Sequence, residues 1–165
     1  MSKVTNKQLV DCFTTYLNEQ WGYVYGARGE LYTQAVAENW EREKRQVPEG
    51  KWSKEHYFTI DCAKWFGHNV ADCMGGLICA LSEHDKDIAA QLSENFRGQI
   101  QESGTINTLP NISGLVLWKE GHVGLYVGGG YAIEFRGTDY GCIKTKVEDR
   151  NWTHWGKIKG VEYCE

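Results

Sequence analysis

The chain has 165 residues, with 18 lysines and arginines against 22 aspartates and glutamates, a formal net charge of −4 and only two prolines. A chain near this size hides about 68–70% of its unfolded surface, enough for one self-sufficient core, so disorder is excluded as the main state. No apolar run approaches the roughly 20 residues of a membrane-spanning helix, and the acidic balance argues against nucleic acid as a partner. Six cysteines (Cys12, Cys62, Cys73, Cys79, Cys142 and Cys164) include no C-x-x-C pair and no zinc-ligand spacing near histidine, so free thiols are expected. Met1 to Gln8 shows neither an apolar h-region nor a small-residue cleavage site. It is read as carrying no secretory signal, which makes the protein a product of the cytoplasm.

Thr5 with Gln8 three residues on is a capping box, and Leu9, Val10, Phe13, Tyr16 and Leu17 then recur at helical spacing as far as Trp21-Gly22. Tyr23 to Gly29 reads as a bent loop. A second helix is expected from Thr33 to Arg45, with Glu41 and Arg45 spaced as an i,i+4 pair. Ser53 begins a third, in which Phe58, Cys62 and Trp65 share a face and Gly67 supplies the C-cap. Asp72 is the natural N-cap of a fourth helix that places Cys73 in its first turn, and a polar helix follows around Asp87 to Phe96. From Gly114 the apolar period changes to 2, giving strands at 115–119, 122–127, 131–135, 142–147 and 155–158. Helices followed by an antiparallel sheet predict one α+β domain spanning 1–165, helical over 1–108 and β over 109–165.

Within the sheet, Val123, Leu125 and Val127 alternate on one strand, and Tyr131, Ile133 and Phe135 on the next. If Gly128-Gly129-Gly130 form the loop and Val127 faces Tyr131, all six point one way. His122 and Glu134 then become diagonal neighbours on the other face, whose side chains can meet. A carboxylate that orients a histidine is the base half of a nucleophilic triad. Cys73, at a helix start where the dipole and free N–H groups favour thiolate, is the candidate nucleophile, and its own N–H is a candidate oxyanion donor. Gly75 and Gly76 beside it, with the thin face of Gly124 and Ala132, suggest that helix and sheet pack closely enough to bring Cys73 to His122. Cys62 and Cys79 read as core. His56, His68, His84 and His154 read as structural or solvated. Trp65, Trp118 and Trp155 are expected in the core, which leaves Trp40 and Trp52 as groove residues.

The ordered set Tyr23-Val24-Tyr25-Gly26, Asp72-Cys73-x-Gly-x-Leu, Gly121 to Gly130 and Ile133-Glu134 resembles the NlpC-type cell-wall peptidases, a branch of the papain-like superfamily. The resemblance runs from Tyr23 to about Ile158 and implies a cysteine peptidase that cleaves stem peptides of bacterial peptidoglycan, typically between D-Glu and a diamino acid. By resemblance Cys73 is the nucleophile, His122 the general base, Glu134 the orienting third member and Tyr23 the hydroxyl near the oxyanion. The third position, often histidine in that family, is Glu here, with Arg136 as a competing partner. The stretch 27–71 reads as an insertion relative to compact members, expected either to shape the groove or to serve as structural padding. The reading expects a monomer with no metal or organic cofactor and no membrane insertion, acting on the wall after release or delivery as a phage lysin, an injected toxin or a domain of a longer protein. The alternatives on the same scaffold are a non-catalytic wall-binding module and an acyltransferase or amidase. From Arg136 to Lys159 six cations face three anions, a local +3 suited to a solvated face or to an anionic surface.

Overall fold

In the computed structural model, which describes residues 4–164, a two-residue strand β1 (Val4–Thr5) leads directly into helix α1 (Asn6–Asn18). The expected capping box forms: Thr5 Oγ1 accepts from the Gln8 amide and Gln8 Oε1 accepts from the Thr5 amide. Leu9, Phe13 and Tyr16 line the buried face of α1. The glycine-punctuated loop that follows ends in a short strand, β2 (Arg28–Leu31), and Thr33 then caps α2 (Gln34–Arg42) by accepting from the Val36 amide. The charged end of α2 is wired differently from the i,i+4 expectation. Arg45 pairs with Glu43 and lies over Trp40, while Glu41 accepts from both the amide and the hydroxyl of Thr59.

The third helix is not α-helical. Residues Tyr57–Asp61 form one wide π-type turn and Ala63–Trp65 a tight 3₁₀ turn. The buried Tyr32 hydroxyl donates to the Phe58 carbonyl, taking the acceptor an α-helix would give to Cys62, and the Cys62 amide bonds instead to Tyr57, five residues back. Phe58 and Cys62 are buried all the same, in a small core with Tyr32, Trp40, Tyr57 and Val70, apart from the main one. Trp40 is therefore not a groove residue. It is 5% exposed and packs edge-on against Phe58.

Strand β3 (Asn69–Ala71), antiparallel to β2, delivers the chain to Asp72 and helix α3 (Cys73–Ser82); Asp85 then caps α4 (Lys86–Glu94). The remaining strands are β4 (Ile100–Thr105), β5 (Val116–Lys119), β6 (His122–Gly128), β7 (Tyr131–Phe135), β8 (Cys142–Lys146), β9 (His154–Ile158) and β10 (Val161–Glu162), the last pairing in parallel with β1. Six of them build one antiparallel sheet in the order β4-β9-β5-β6-β7-β8. Strand β4 falls in the stretch read from sequence as helical and loop, yet it forms the outer edge beside β9.

The β6–β7 register agrees with the reading at Leu125↔Ile133 and Tyr126↔Ala132, but the loop differs. A bulge sets Gly128, not Val127, opposite Tyr131, and Gly129-Gly130 turn the chain at φ 63° and 87°. The two-residue turn matches strand twist and the bulge absorbs the odd residue, so His122 and Glu134 keep a common face. One face of the sheet, with Val123, Leu125, Ile133 and Phe135, packs on α1 and α3; the other, with Leu117, Tyr126, Ala132 and Trp155, packs on Trp152.

Candidate active site

Asp72 fixes where α3 begins and what lies beside it. Its Oδ1 accepts from the Gly75 amide at 2.6 Å, capping the helix, and its Oδ2 accepts from the Gly26 amide at 2.9 Å, clamping the segment that carries Tyr23. Burial raises the Asp72 carboxyl above its ordinary value, against the pull of those two amides. An added Cβ at Gly75 would sit 2.0 Å from the Ala27 carbonyl oxygen, and one at Gly76 would sit 2.4 Å from the Phe135 ring. The two glycines thus let α3 lie against both the Tyr23 segment and the sheet, as their placement suggested. Gly124 serves a different purpose from the one expected of it. Its missing Cβ makes room for the Trp152 ring, 2.8 Å from where that atom would be, on the face away from α3.

Cys73 is the first residue of α3. The Gly75 and Gly76 amides are already bonded to Asp72, while those of Cys73 and Met74 have no helical acceptor. The thiol is half-buried. Burial pushes it above its ordinary value, the Asp72 charge adds to that, and the backbone amides of Val123, Met74 and Cys73 itself pull it back only partly. Burial thus works against the thiolate that the helix start was expected to favour. Cys73 and His122 line one cavity of about 420 Å³, together with Phe96, Arg97, Trp118 and Lys119.

His122, the first residue of β6, has its ring stacked on Trp152, with centroids 5.3 Å apart and planes inclined by 13°. Its Nε2 lies 2.8 Å from Glu134 Oε1. An ionised carboxylate can only accept, so the proton sits on Nε2 and the neutral ring keeps Nδ1 free as a base. Glu134 itself is 0% exposed. Besides His122 it accepts from Thr145 Oγ1 at 2.6 Å and, in a bidentate pair, from Arg150 Nε at 2.9 Å and Nη2 at 2.8 Å. Burial alone would raise the carboxyl, but the bonds from His122, Arg150 and Thr145 bring it down to about 2. It is thus a carboxylate near neutral pH.

The competitor expected for Glu134, Arg136, is not its partner. Arg136 lies over the Tyr140 ring, and the ion pair comes from Arg150. Arg150, Thr145 and Trp152 were not singled out from sequence. The usable signal was the buried position of Glu134, which demands a cation, and only the fold shows which of six nearby cations supplies it. Tyr23 packs with Cys73 against the main core and lines a second cavity with Trp52 and Arg136. Burial, and then the neighbouring Cys73 and Asp72, hold its hydroxyl protonated, so it remains a donor. Among the described residues no cluster of three or more His, Cys, Asp or Glu is placed to hold a metal ion, and no helix is long and apolar enough to cross a membrane.

A second thiol and imidazole meet elsewhere. Cys12 Sγ is 3.7 Å from His84 Nε2 in a cavity of about 240 Å³ with Asp11, Tyr16 and Glu83. There burial, then Glu83, push the thiol up to about 12.

Neither a family model nor a curated protein sequence matches the chain. Solved structures do. The NlpC/p60 domain of the peptidoglycan hydrolase SagA superposes with a TM-score of 0.52 over 94% of this chain and 100% of its own, at 12% identity. The P60 domain of the Mycobacterium avium subspecies paratuberculosis antigen MAP1204 gives 0.50 over 94% and 97%, at 13% identity. The chain has the NlpC/p60 fold: N-terminal helices, a C-terminal antiparallel sheet and a cysteine at a helix start.

Proposed function

We propose that the protein is a cysteine hydrolase of peptidoglycan stem peptides, with Cys73 as nucleophile, His122 as base and acid, Glu134 as the group that positions His122, and Tyr23 as a hydroxyl donor beside the nucleophile. The observation that carries this reading is the fully buried Glu134, held by Arg150 and Thr145 so that it fixes His122 with Nδ1 free in the cavity that Cys73 lines. The fold it shares with the SagA domain, itself from a peptidoglycan hydrolase, supports the choice of substrate, with the bond between D-Glu and a diamino acid as the proposed point of cleavage. On this reading the enzyme acts on the wall after release or delivery.

Burial at the Cys73 site works against the thiolate, so the step needs a base. His122 Nδ1 takes the Sγ proton as sulfur attacks the peptide carbonyl, and the oxyanion is met by the free amides at the start of α3 and by the Tyr23 hydroxyl. The imidazolium then passes its proton to the leaving amine as the C–N bond breaks, leaving a thioester on Cys73. Water, deprotonated by His122, releases the acid and restores the thiol. Glu134 shares its charge with Arg150, so its part is to fix ring and tautomer more than to supply field. The test is purified peptidoglycan treated with the wild-type protein or Cys73→Ala. New amino termini should appear only with the wild type, and equal release by the variant would sink the reading.

A further inference from the structure

The cavity on the Tyr23 side of the nucleophile is not needed by the chemistry above, yet it is built from three separate parts of the chain. Its volume is about 240 Å³, and its walls include Tyr23, Trp52 from the 27–71 insertion, and Arg136, Asp139 and Tyr140 from the loop after β7. Charge is distributed unevenly within it. Asp139 is already matched twice, by Lys51 Nζ at 2.6 Å and Lys64 Nζ at 3.1 Å. Arg136, by contrast, has no carboxylate within ion-pairing range among the described residues. Its guanidinium is exposed and rests on the exposed ring of Tyr140, 4.2 Å from the centroid, which orients the fork without using its donors.

Two further facts tie this cation to the reaction centre. Arg136 stands two residues beyond Glu134. Its charge also reaches the other cavity, where the Lys119 ammonium is depressed by burial, by Arg150 and by Arg136. A guanidinium that is oriented on one ring but unpaired, lining a cavity with Tyr23, which itself neighbours Cys73, suits a planar anion of carboxylate geometry.

We propose that Arg136, with Tyr140 beneath it and Trp52 lining the same cavity, binds a free carboxylate of the substrate next to the bond that Cys73 attacks, making this the acid-selective subsite of the protein. The insertion at 27–71 is then a specificity element, since it contributes Trp52 and the two lysines that neutralise Asp139. The identity of the reaction rests on the hydrolase reading, whereas carboxylate binding at Arg136 does not.

Two synthetic stem peptides that differ only in whether the glutamyl carboxyl outside the chain linkage is free or a primary amide serve as probes. Wild-type kcat/KM should favour the free acid by roughly ten- to a hundredfold, carried mainly by KM, and Arg136→Gln should bring that ratio close to one. A ratio that survives in Arg136→Gln overturns the proposal. Calorimetry on Cys73→Ala, with and without Arg136→Gln, separates the two readings. If the wild type cleaves neither peptide, the hydrolase reading fails by itself, while at least tenfold tighter, Arg136-dependent binding of the free acid still supports the subsite. Absence of binding, or binding indifferent to Arg136, overturns it.

Discussion

Two cysteines in this molecule sit near a histidine, and they are not equivalent. Cys12 has the direct contact, its Sγ 3.7 Å from His84 Nε2, and a carboxylate next door in Glu83. It is nevertheless the seventh residue of α1, where the helix uses every nearby backbone amide; its thiol is pushed up to about 12, and Glu83 is engaged by the Tyr16 hydroxyl instead of orienting His84. Cys73 stands where two helix amides are free, and its histidine has one nitrogen fixed by a buried carboxylate and its ring face fixed by Trp152. The contrast teaches that thiol–imidazole proximity is cheap. What distinguishes the second pair is the surrounding structure, which assigns the proton on the ring and supplies donors where negative charge would develop.

The sharpest way to break this contrast is to remove each histidine. His122→Ala should lower hydrolysis of stem peptides by about 10²–10⁴-fold, the usual worth of a general acid–base group, whereas His84→Ala should leave the rate within about twofold. Similar losses in both variants would mean that the oriented pair holds no advantage.

Glu134→Gln comes next. It removes the group that positions His122 and leaves Arg150, whose side chain is 18% exposed, without its partner, a change that typically costs about 3–5 kcal/mol. Denaturant titration and kcat together test it. Adding Arg150→Met should recover part of the stability but none of the activity; recovery of activity would reassign Glu134 to structure alone.

The same carboxylate predicts an acid limit. Its folded value of about 2 lies below the ordinary 4.5, so the stability it contributes is complete above about pH 4.5 and is lost as pH falls from there towards 2. The loss is on the order of 3 kcal/mol. Glu134→Gln should flatten this part of the acid unfolding curve, and an unchanged curve would show that other groups set the limit.

A smaller effect is expected from Gly124→Ala, whose added methyl meets the Trp152 ring and, through it, His122. Overpacking of this kind costs about 1–3 kcal/mol, and kcat should fall further than KM changes because the ring that orients the base is displaced. Smallest is the difference in labelling. With iodoacetamide near neutral pH the exposed Cys164 should react first, Cys73 more slowly because its site favours the thiol, and the buried Cys12 only on unfolding. Peptide mapping by mass spectrometry reads the order.

Much of the contrast was legible in the sequence, and for physical reasons. Asp72 before an apolar run that holds Gly75 and Gly76 marks a helix start, because capping and close approach are local demands. The register that brings His122 to Glu134 follows from strict alternation on two adjoining strands. Less local features were hidden. Strand β4, Ile-Gln-Glu-Ser-Gly-Thr, is an edge strand mostly open to solvent and so carries no alternating apolar signal. The π-type turn at Tyr57–Asp61 depends on a hydroxyl supplied by Tyr32, 26 residues earlier than the carbonyl it takes. Arg150 reaches Glu134 from the turn after β8, and no spacing rule favours it over Arg136, which lies much nearer in sequence.

The central claim is that sulfur of Cys73 becomes covalently acylated, and that claim can be observed. Wild-type protein mixed with a stem peptide and quenched in acid within the first turnovers should carry the mass of the acyl fragment on the peptide that contains Cys73, and His122→Ala should carry little or none. Fragments released with no adduct on Cys73, or an adduct on Cys12 instead, would contradict the account.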